Sequence, residues 1–358
     1  MPELELFVPG RLCLFGEHSD WAGAWRTVAP QLSPGCCLVT GTDQGLRAHA
    51  DRADALEIES VLADGTRRGP VQIPLELGAL DAAAREGGFM SYAAGAAACV
   101  RERFEVGGLR LALEADLPMG KGLSSSAALC VTVVRAFSRL YALGLDRRDE
   151  MELAYAGERR AGSECGRMDQ VCAFGRRPVL MRFDGDALSL EPLVPGRTFH
   201  LLVVDLRGTK DTRRILRDLN ACFPDAPGAL AAGVRDALGP QNVALLERAR
   251  AALETGAPEA LGALMVEAQA LFDARVAPAC RELAAPRLHE VLAHRAVREL
   301  ALGGKGVGSQ GDGCAQLVAR DAEARRRLAA ALESELGVAC HPLTLEPACA
   351  ATSDEESV

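Results

Sequence analysis

The sequence predicts a chain of two mixed α/β domains, and three observations carry that expectation. Its 358 residues suffice for two domains or for one large α/β domain. The first half mixes strand-period and helix-period segments, with a strand, a Gly/Ser loop and a helix in direct succession at 109–143. A turn-rich stretch, DGDALSLEPLVPGRT at 184–198, then separates this half from a mostly helical remainder. The domains are accordingly read as 1–194 and 195–358.

Residues 4–16 alternate around apolar positions and read as a strand, and 36–50, CCLVTGTDQGLRAHA, reads as another with a turn between Gly41 and Gly45. In LRLALEADLP at 109–118, Leu109, Leu111 and Leu113 share one face while Arg110 and Glu114 share the other, the period of a half-buried strand. The following loop, MGKGLSSS, leads into AALCVTVVRAFSRLYALG, whose apolar residues recur at helical spacing and stop near Gly144. A second helix is expected over 149–162, with acids in its first turn as the helix dipole favours, and a third near 166–175. HLLVVDL at 200–206 reads as a buried strand. Helices are expected at 211–221, 228–238, 241–255, 257–272, 285–302 and 319–336, interrupted by a Gly-rich loop at 303–313 and a strand-like CAQLVA. The acidic TSDEESV tail has no apolar period and reads as disordered.

Composition narrows the class. Hydrophobic residues at 49% and charged residues at 25% are those of a soluble globular protein. A formal charge of −9 argues against sequence-independent nucleic-acid binding, which needs a basic face. The first residues, MPELELFVPG, lack the basic start of a signal peptide, and no apolar run reaches the ~20 residues of a membrane span. The twelve cysteines are scattered without a CxxC pair, so they read as small buried apolar residues in a cytoplasmic protein.

Two segments carry chemistry. In Pro118-Met119-Gly120-Lys121-Gly122-Leu123-Ser124-Ser125-Ser126, glycines let backbone amides approach an anion, three hydroxyls donate, and a helix N-terminus follows, an arrangement suited to phosphate. It is not a Walker A loop, because no Lys-Ser or Lys-Thr follows the last glycine; the plainer alternative is a serine-capped turn. In VPGRLCLFGEHSDW, a buried run is followed within four residues by Glu17, His18 and Asp20, groups that suit the hydroxyls of a polyhydroxylated ligand.

PGRLCLFGEHSDWAG, PMGKGLSSSAAL and CGRMDQ, in that order, resemble the three N-terminal signatures of the galactokinase-like sugar-kinase branch of the GHMP kinases, the superfamily named for galactose, homoserine, mevalonate and phosphomevalonate kinases. The resemblance covers the first half of the chain; the second half matches through one Gly-rich loop. It implies a two-domain α+β architecture, with an N-terminal domain like ribosomal protein S5 domain 2 and a ferredoxin-like C-terminal domain. It implies ATP-dependent phosphorylation of a small sugar, at the anomeric hydroxyl, with ATP and Mg²⁺ as cofactors and no nucleic-acid or membrane partner. By resemblance, Gly120, Gly122, Ser124, Ser125 and Ser126 hold nucleotide phosphates, and Ser126 and Glu158 hold the metal. Read from its helix alone, Glu158 is equally an exposed helix acid. Asp169 takes the place of the catalytic base and Arg11 that of the arginine beside it; Glu17, His18, Asp20 and Gly166 take those of sugar-binding residues. Without the other motifs, Arg11 and Asp169 would read as a structural ion pair.

Three departures bear on the substrate. The loop 303–313 contains Asp312, an acid that would repel a triphosphate unless it points away or meets the metal, with Lys305 able to offset it. No tyrosine follows the domain boundary, where galactokinases usually carry one; the chain has Lys210, Asp211 and Thr212 there, residues able to contact substrate, Asp211 equally as a helix cap. Arg167, two residues before Asp169, faces either an acidic sugar or solvent and a salt-bridge partner. The alternatives to a sugar kinase are a mevalonate-type small-alcohol kinase and a non-catalytic ATP- and sugar-binding sensor.

Overall fold

In this computed structural model the described residues, 3–61, 65–117 and 122–347, form eleven strands: β1 (Leu4–Phe15), β2 (Gly35–Ala53), β3 (Leu56–Val61), β4 (Arg67–Ile73), β5 (Gly108–Ala115), β6 (Val179–Asp184), β7 (Ala187–Pro192), β8 (Phe199–Asp205), β9 (Ala301–Gly306), β10 (Cys314–Ala319) and β11 (Ala339–Leu345). The chain divides into two compact units that are discontinuous in sequence: 1–11 with 41–176, and 12–40 with 177–358. The turn-rich 184–198 segment therefore falls inside the second unit instead of separating the two.

The first unit holds strands in the order β4-β3-β5-β2, with β3 and β5 parallel and the other pairs antiparallel. β5 forms because its alternating leucines are buried while Arg110 and Glu114 are exposed. β2 runs unbroken through Gly41 and Gly45, so the turn expected there is absent. Those glycines serve close approach: a Cβ at Gly41 would lie 2.3 Å from Gly175 O, and one at Gly45 2.4 Å from Val8 O.

The helix Phe89–Arg103 gave no sequence signal because AAGAAA is apolar all round, and the structure buries nearly all of it. It packs against the helix Arg147–Arg160 through paired glycines; a Cβ at Gly95 would sit 2.3 Å from Gly157 O. The latter helix starts with a capping box between Asp146 and Asp149, as its acidic first turn predicts.

The second unit contains the sheet β11-β8-β10-β9, all antiparallel. In order of sequence this is 4-1-3-2, the ferredoxin-like arrangement, with Ala322–Leu336 as the second crossover helix and the helices between Thr212 and Leu300 replacing the first. Leu202, Val204, Leu317, Leu328 and Leu332 form its core. The helix expected over 285–302 ends twice, giving Pro286–Leu292 and Arg295–Leu300, and then becomes β9. Residues 303–306 are thus strand, not loop. Their glycines admit a neighbour: a Cβ at Gly303 would lie 2.0 Å from Gly262 O in the helix Pro258–Arg275.

The eleven described cysteines are unbridged, and all but Cys165 and Cys340 are buried. Among the described residues no helix is long and apolar enough to cross a membrane. The TSDEESV tail, 352–358, lies outside the described residues.

Candidate active site

In the first unit, Arg11, Ser126, Glu158 and Asp169 assemble from four separate segments. Arg11 ends the part of β1 that belongs to this unit; its backbone N–H donates to Leu123 O at 2.9 Å, tying the strand to the serine turn. Its guanidinium pairs through Nη2 with Asp169 Oδ1 and donates through Nη1 to Gly122 O at 3.3 Å. The arginine side chain is 6% exposed and the aspartate 22%, so the carboxylate is reachable while its partner is not. Asp169 opens a short 3-10 helix, Asp169–Phe174, and Gly166 lies in the irregular segment just before it. Arg135 pins this corner by pairing with the buried Glu150 at 2.7 Å and donating to Ala173 O at 2.7 Å.

Glu158 is buried, not an exposed helix acid. Its carboxylate accepts from Ser126 Oγ at 2.7 Å, Gln170 Nε2 at 2.6 Å and Ser163 Oγ at 3.4 Å. Burial, and then the negative charge of Asp169, push its pKa up to about 7 against the pull of those hydrogen bonds. Two mutually repelling carboxylates beside a hydroxyl suit a divalent cation. Among the described residues no group of three His, Cys, Asp or Glu could hold a metal ion by itself. Gln170 and Ser163 went unread in the sequence; Gln170 was visible as the last residue of the CGRMDQ motif.

The serine turn leads into the helix Ser125–Leu140. Ser124, at its N-cap, has φ 57° and makes no capping bond with its side chain, so the plain serine-cap reading fails. The first-turn amides have no partner by helix geometry. Gly122, with φ 82°, occupies the left-handed region. Gly120 lies outside the described residues.

The second unit contains Glu17, His18 and Asp20. Gly16, at φ 92°, turns the chain out of β1, and His18, at φ 70°, caps the helix Ser19–Ala24, with half-buried Asp20 in its first turn. Asn242 Nδ2 holds this corner, donating to Ser19 Oγ and to Cys36 O at 2.8 Å each. Glu17 is paired with Lys305 of β9, both side chains being almost fully buried, 5% and 3% exposed. Lys305 is therefore not an offset for Asp312. His18 accepts from Trp21 Nε1 through Nδ1 at 3.1 Å and stacks on Phe272. Burial, followed by the charge of Lys210, brings its pKa down to about 4.

Asp312 points at a helix, accepting from the backbone N–H groups of Arg287 at 2.9 Å and Leu288 at 3.0 Å. Asp211 likewise caps the helix Thr212–Asn220. Arg167 lies over the Tyr155 ring at 5.5 Å and 3.8 Å from Glu152, both on the helix Arg147–Arg160, so the salt-bridged reading of this arginine describes it.

The chain is similar to several known proteins. The sequence profile "GHMP kinases N terminal domain" matches residues 91–176, the segment carrying the serine turn, Glu158 and Asp169. Over that segment the chain is similar to GHMP kinases. Galactokinase of Pyrococcus furiosus is 27% identical over 194 residues, 53% of this chain and 49% of that protein. Galactokinase of Streptomyces coelicolor is 29% identical over 316 residues, 79% of this chain and 77% of that protein. The chain thus spans about half the length of the first of these relatives. Among solved structures, Lactococcus lactis galactokinase complexed with galactose superposes with a TM-score of 0.71 at 18% identity, over 96% of this chain and 93% of that one. L. major mevalonate kinase in complex with R-mevalonate gives 0.72 at 19%, over 97% of this chain and 99% of that one. These two carry the fold: the α+β two-domain GHMP-kinase architecture expected from the motifs is the one observed.

Proposed function

We infer that the protein is a galactokinase-like sugar kinase, transferring the terminal phosphoryl group of ATP to the anomeric hydroxyl of a small sugar to give a sugar 1-phosphate and ADP. The Arg11–Asp169 pair beside Ser126 and Glu158 is the observation that carries the reading. Phosphoryl transfer asks a protein for positioning and charge compensation more than for covalent chemistry, and these four side chains supply both. The galactokinase names of the sequence relatives support a sugar as acceptor over a mevalonate-type alcohol.

Asp169 accepts the proton of the attacking hydroxyl. Arg11 fixes the orientation of that carboxylate through Nη2 and places a permanent positive charge where negative charge gathers during transfer. The turn from Gly122 through Ser124, Ser125 and Ser126 offers hydroxyls and first-turn amides to phosphate oxygens. Ser126 and Glu158 would hold magnesium, which when bound neutralises phosphate charge. Asp20 and His18 are assigned to sugar hydroxyls. Glu17 takes a changed part: its pairing with Lys305 makes it a support of the His18 corner before it is an acceptor for substrate.

The test is ADP release from purified protein across hexoses, pentoses, uronic acids and cyclitols, repeated with Asp169→Asn. Turnover should fall by about 10²–10⁴-fold in the variant, the usual worth of a general base, with nucleotide affinity changed less than a few-fold. Full activity in Asp169→Asn would remove Asp169 as the base.

A further inference from the structure

Gln170 follows Asp169 in the 3-10 helix Asp169–Phe174, and its side chain is fully buried. A buried amide is costly unless its carbonyl and its N–H groups find partners away from water. Here only one end does. Nε2 donates to Glu158 Oε2 at 2.6 Å and to Cys165 Sγ at 3.7 Å, while Oε1 is buried with no hydrogen-bond partner among the described residues. Turning the amide over gives no relief, since Oε1 would then face a carboxylate oxygen. A side chain that served only to fill this space would leave no such orphan; methionine, of similar length and volume, has neither group. The donor end is what the site uses.

Glu158 shows for what. Ser126 Oγ at 2.7 Å and Ser163 Oγ at 3.4 Å both donate to Oε1, so among the described residues Gln170 alone holds Oε2. The last torsion of a glutamate is broad, and a hold on both oxygens fixes it where a hold on one does not. The donor is also neutral. Arginine or lysine in its place would offset the charge of Glu158, whereas an amide orients the carboxylate and leaves that charge for a cation. Ser126, Glu158 and Gln170 thus form one connected set, drawn from the helix Ser125–Leu140, the helix Arg147–Arg160 and the 3-10 helix that Asp169 opens. A second link joins the same three segments: Arg135 pairs with Glu150 and donates to Ala173 O. That link keeps their backbones together whatever residue stands at 170.

We propose that Gln170 is a positioning residue for magnesium, its amide aiming the Glu158 carboxylate at the cation that accompanies the nucleotide phosphates. The proposal rests on the reading of Ser126 and Glu158 as the metal-holding pair. Hydrogen-bond partners of metal-binding side chains contribute about ten- to a hundredfold in metal affinity or activity.

The experiment measures ADP affinity by titration calorimetry in Mg²⁺ and in EDTA, for the wild type, Gln170→Met and Gln170→Asn, with thermal unfolding of each to check that it is folded. The wild type should bind ADP more tightly in Mg²⁺, and the ratio of the two affinities is the readout. Gln170→Met keeps the volume and Gln170→Asn keeps an amide too short to reach Glu158; each should lower the ratio by about tenfold or more, with ADP affinity in EDTA unaltered. Glu158→Gln should lower the ratio as well, and Glu158→Gln/Gln170→Met no further, because Gln170 acts through the carboxylate. An unchanged ratio in a folded Gln170 variant, an equal fall of both affinities, or a double variant that adds the full effect of each change overturns the proposal and leaves the metal reading of Glu158 standing. Failure of both Gln170 variants to fold also overturns it, since the residue would then be structural. No gain from Mg²⁺ in the wild type, or a gain untouched in Glu158→Gln, overturns the metal reading and the proposal with it.

Discussion

Replacing Lys305 by methionine should unfold the second unit far more readily while leaving its shape nearly filled. Lys305 and Glu17 are 3% and 5% exposed, and the ammonium also donates to Gly306 O at 2.9 Å. Removing one member of a buried ion pair strands the other charge, at a cost of about 3–5 kcal/mol. With a urea m-value near the upper end of the usual range, about 3 kcal/mol per molar, the midpoint should fall by about 1–1.7 M. The chain's two tryptophans, Trp21 and Trp25, both belong to the second unit, so fluorescence reports on that unit directly. The double variant Glu17→Gln/Lys305→Met removes both charges and should recover at least half of the loss, because no stranded carboxylate remains. A Lys305→Met midpoint within 0.3 M of wild type, about 1 kcal/mol, would refute the claim that the pair is buried and mutually dependent. So would a double variant no more stable than the single one.

Two further outcomes follow from the same unit. His18 has a depressed pKa, about 4 against 6.5, so the folded state binds fewer protons than the unfolded state between those values. Stability from this group is complete above pH 6.5 and is lost as pH falls towards 4, by about 3 kcal/mol in all. His18→Asn, which tolerates the left-handed backbone, should flatten that part of the stability–pH curve; an unchanged slope would contradict the buried neutral imidazole. Gly303→Ala should destabilise by about 1–3 kcal/mol through the collision with Gly262 O, with nucleotide affinity unaltered. Weakened nucleotide binding in a variant of undiminished stability would restore a phosphate role to that glycine.

The proposed catalytic corner was legible because its residues sit in short contiguous motifs. Arg11, Ser126 and Asp169 each sit in a recognisable segment, and the structure brings them together in one unit. Glu158 was legible as a carboxylate but not as a buried one, since two of the side chains that hold it, Ser126 and Gln170, come from other segments of the chain. The second unit was less readable. A glycine run looks alike whether it cradles phosphate or lets a helix backbone lie against a strand, and only Gly262 on the partner helix tells the two apart. Asp312 looked like an intruder in an anion site because its real partner, the N-terminus of Pro286–Leu292, begins some 25 residues earlier. Glu17 and Lys305 are separated by 288 positions, and nothing local to either announces the pairing.

The interleaving of 1–11, 12–40, 41–176 and 177–358 has a consequence for synthesis. Once residue 176 has left the ribosome, everything the first unit requires is in hand. Residues 12–40 belong to the other unit, and their Cys36–Val39 run finds its strand partner only in β6, some 140 positions further along the chain. A scission after residue 194 would deprive the later fragment of that segment rather than release an independent domain.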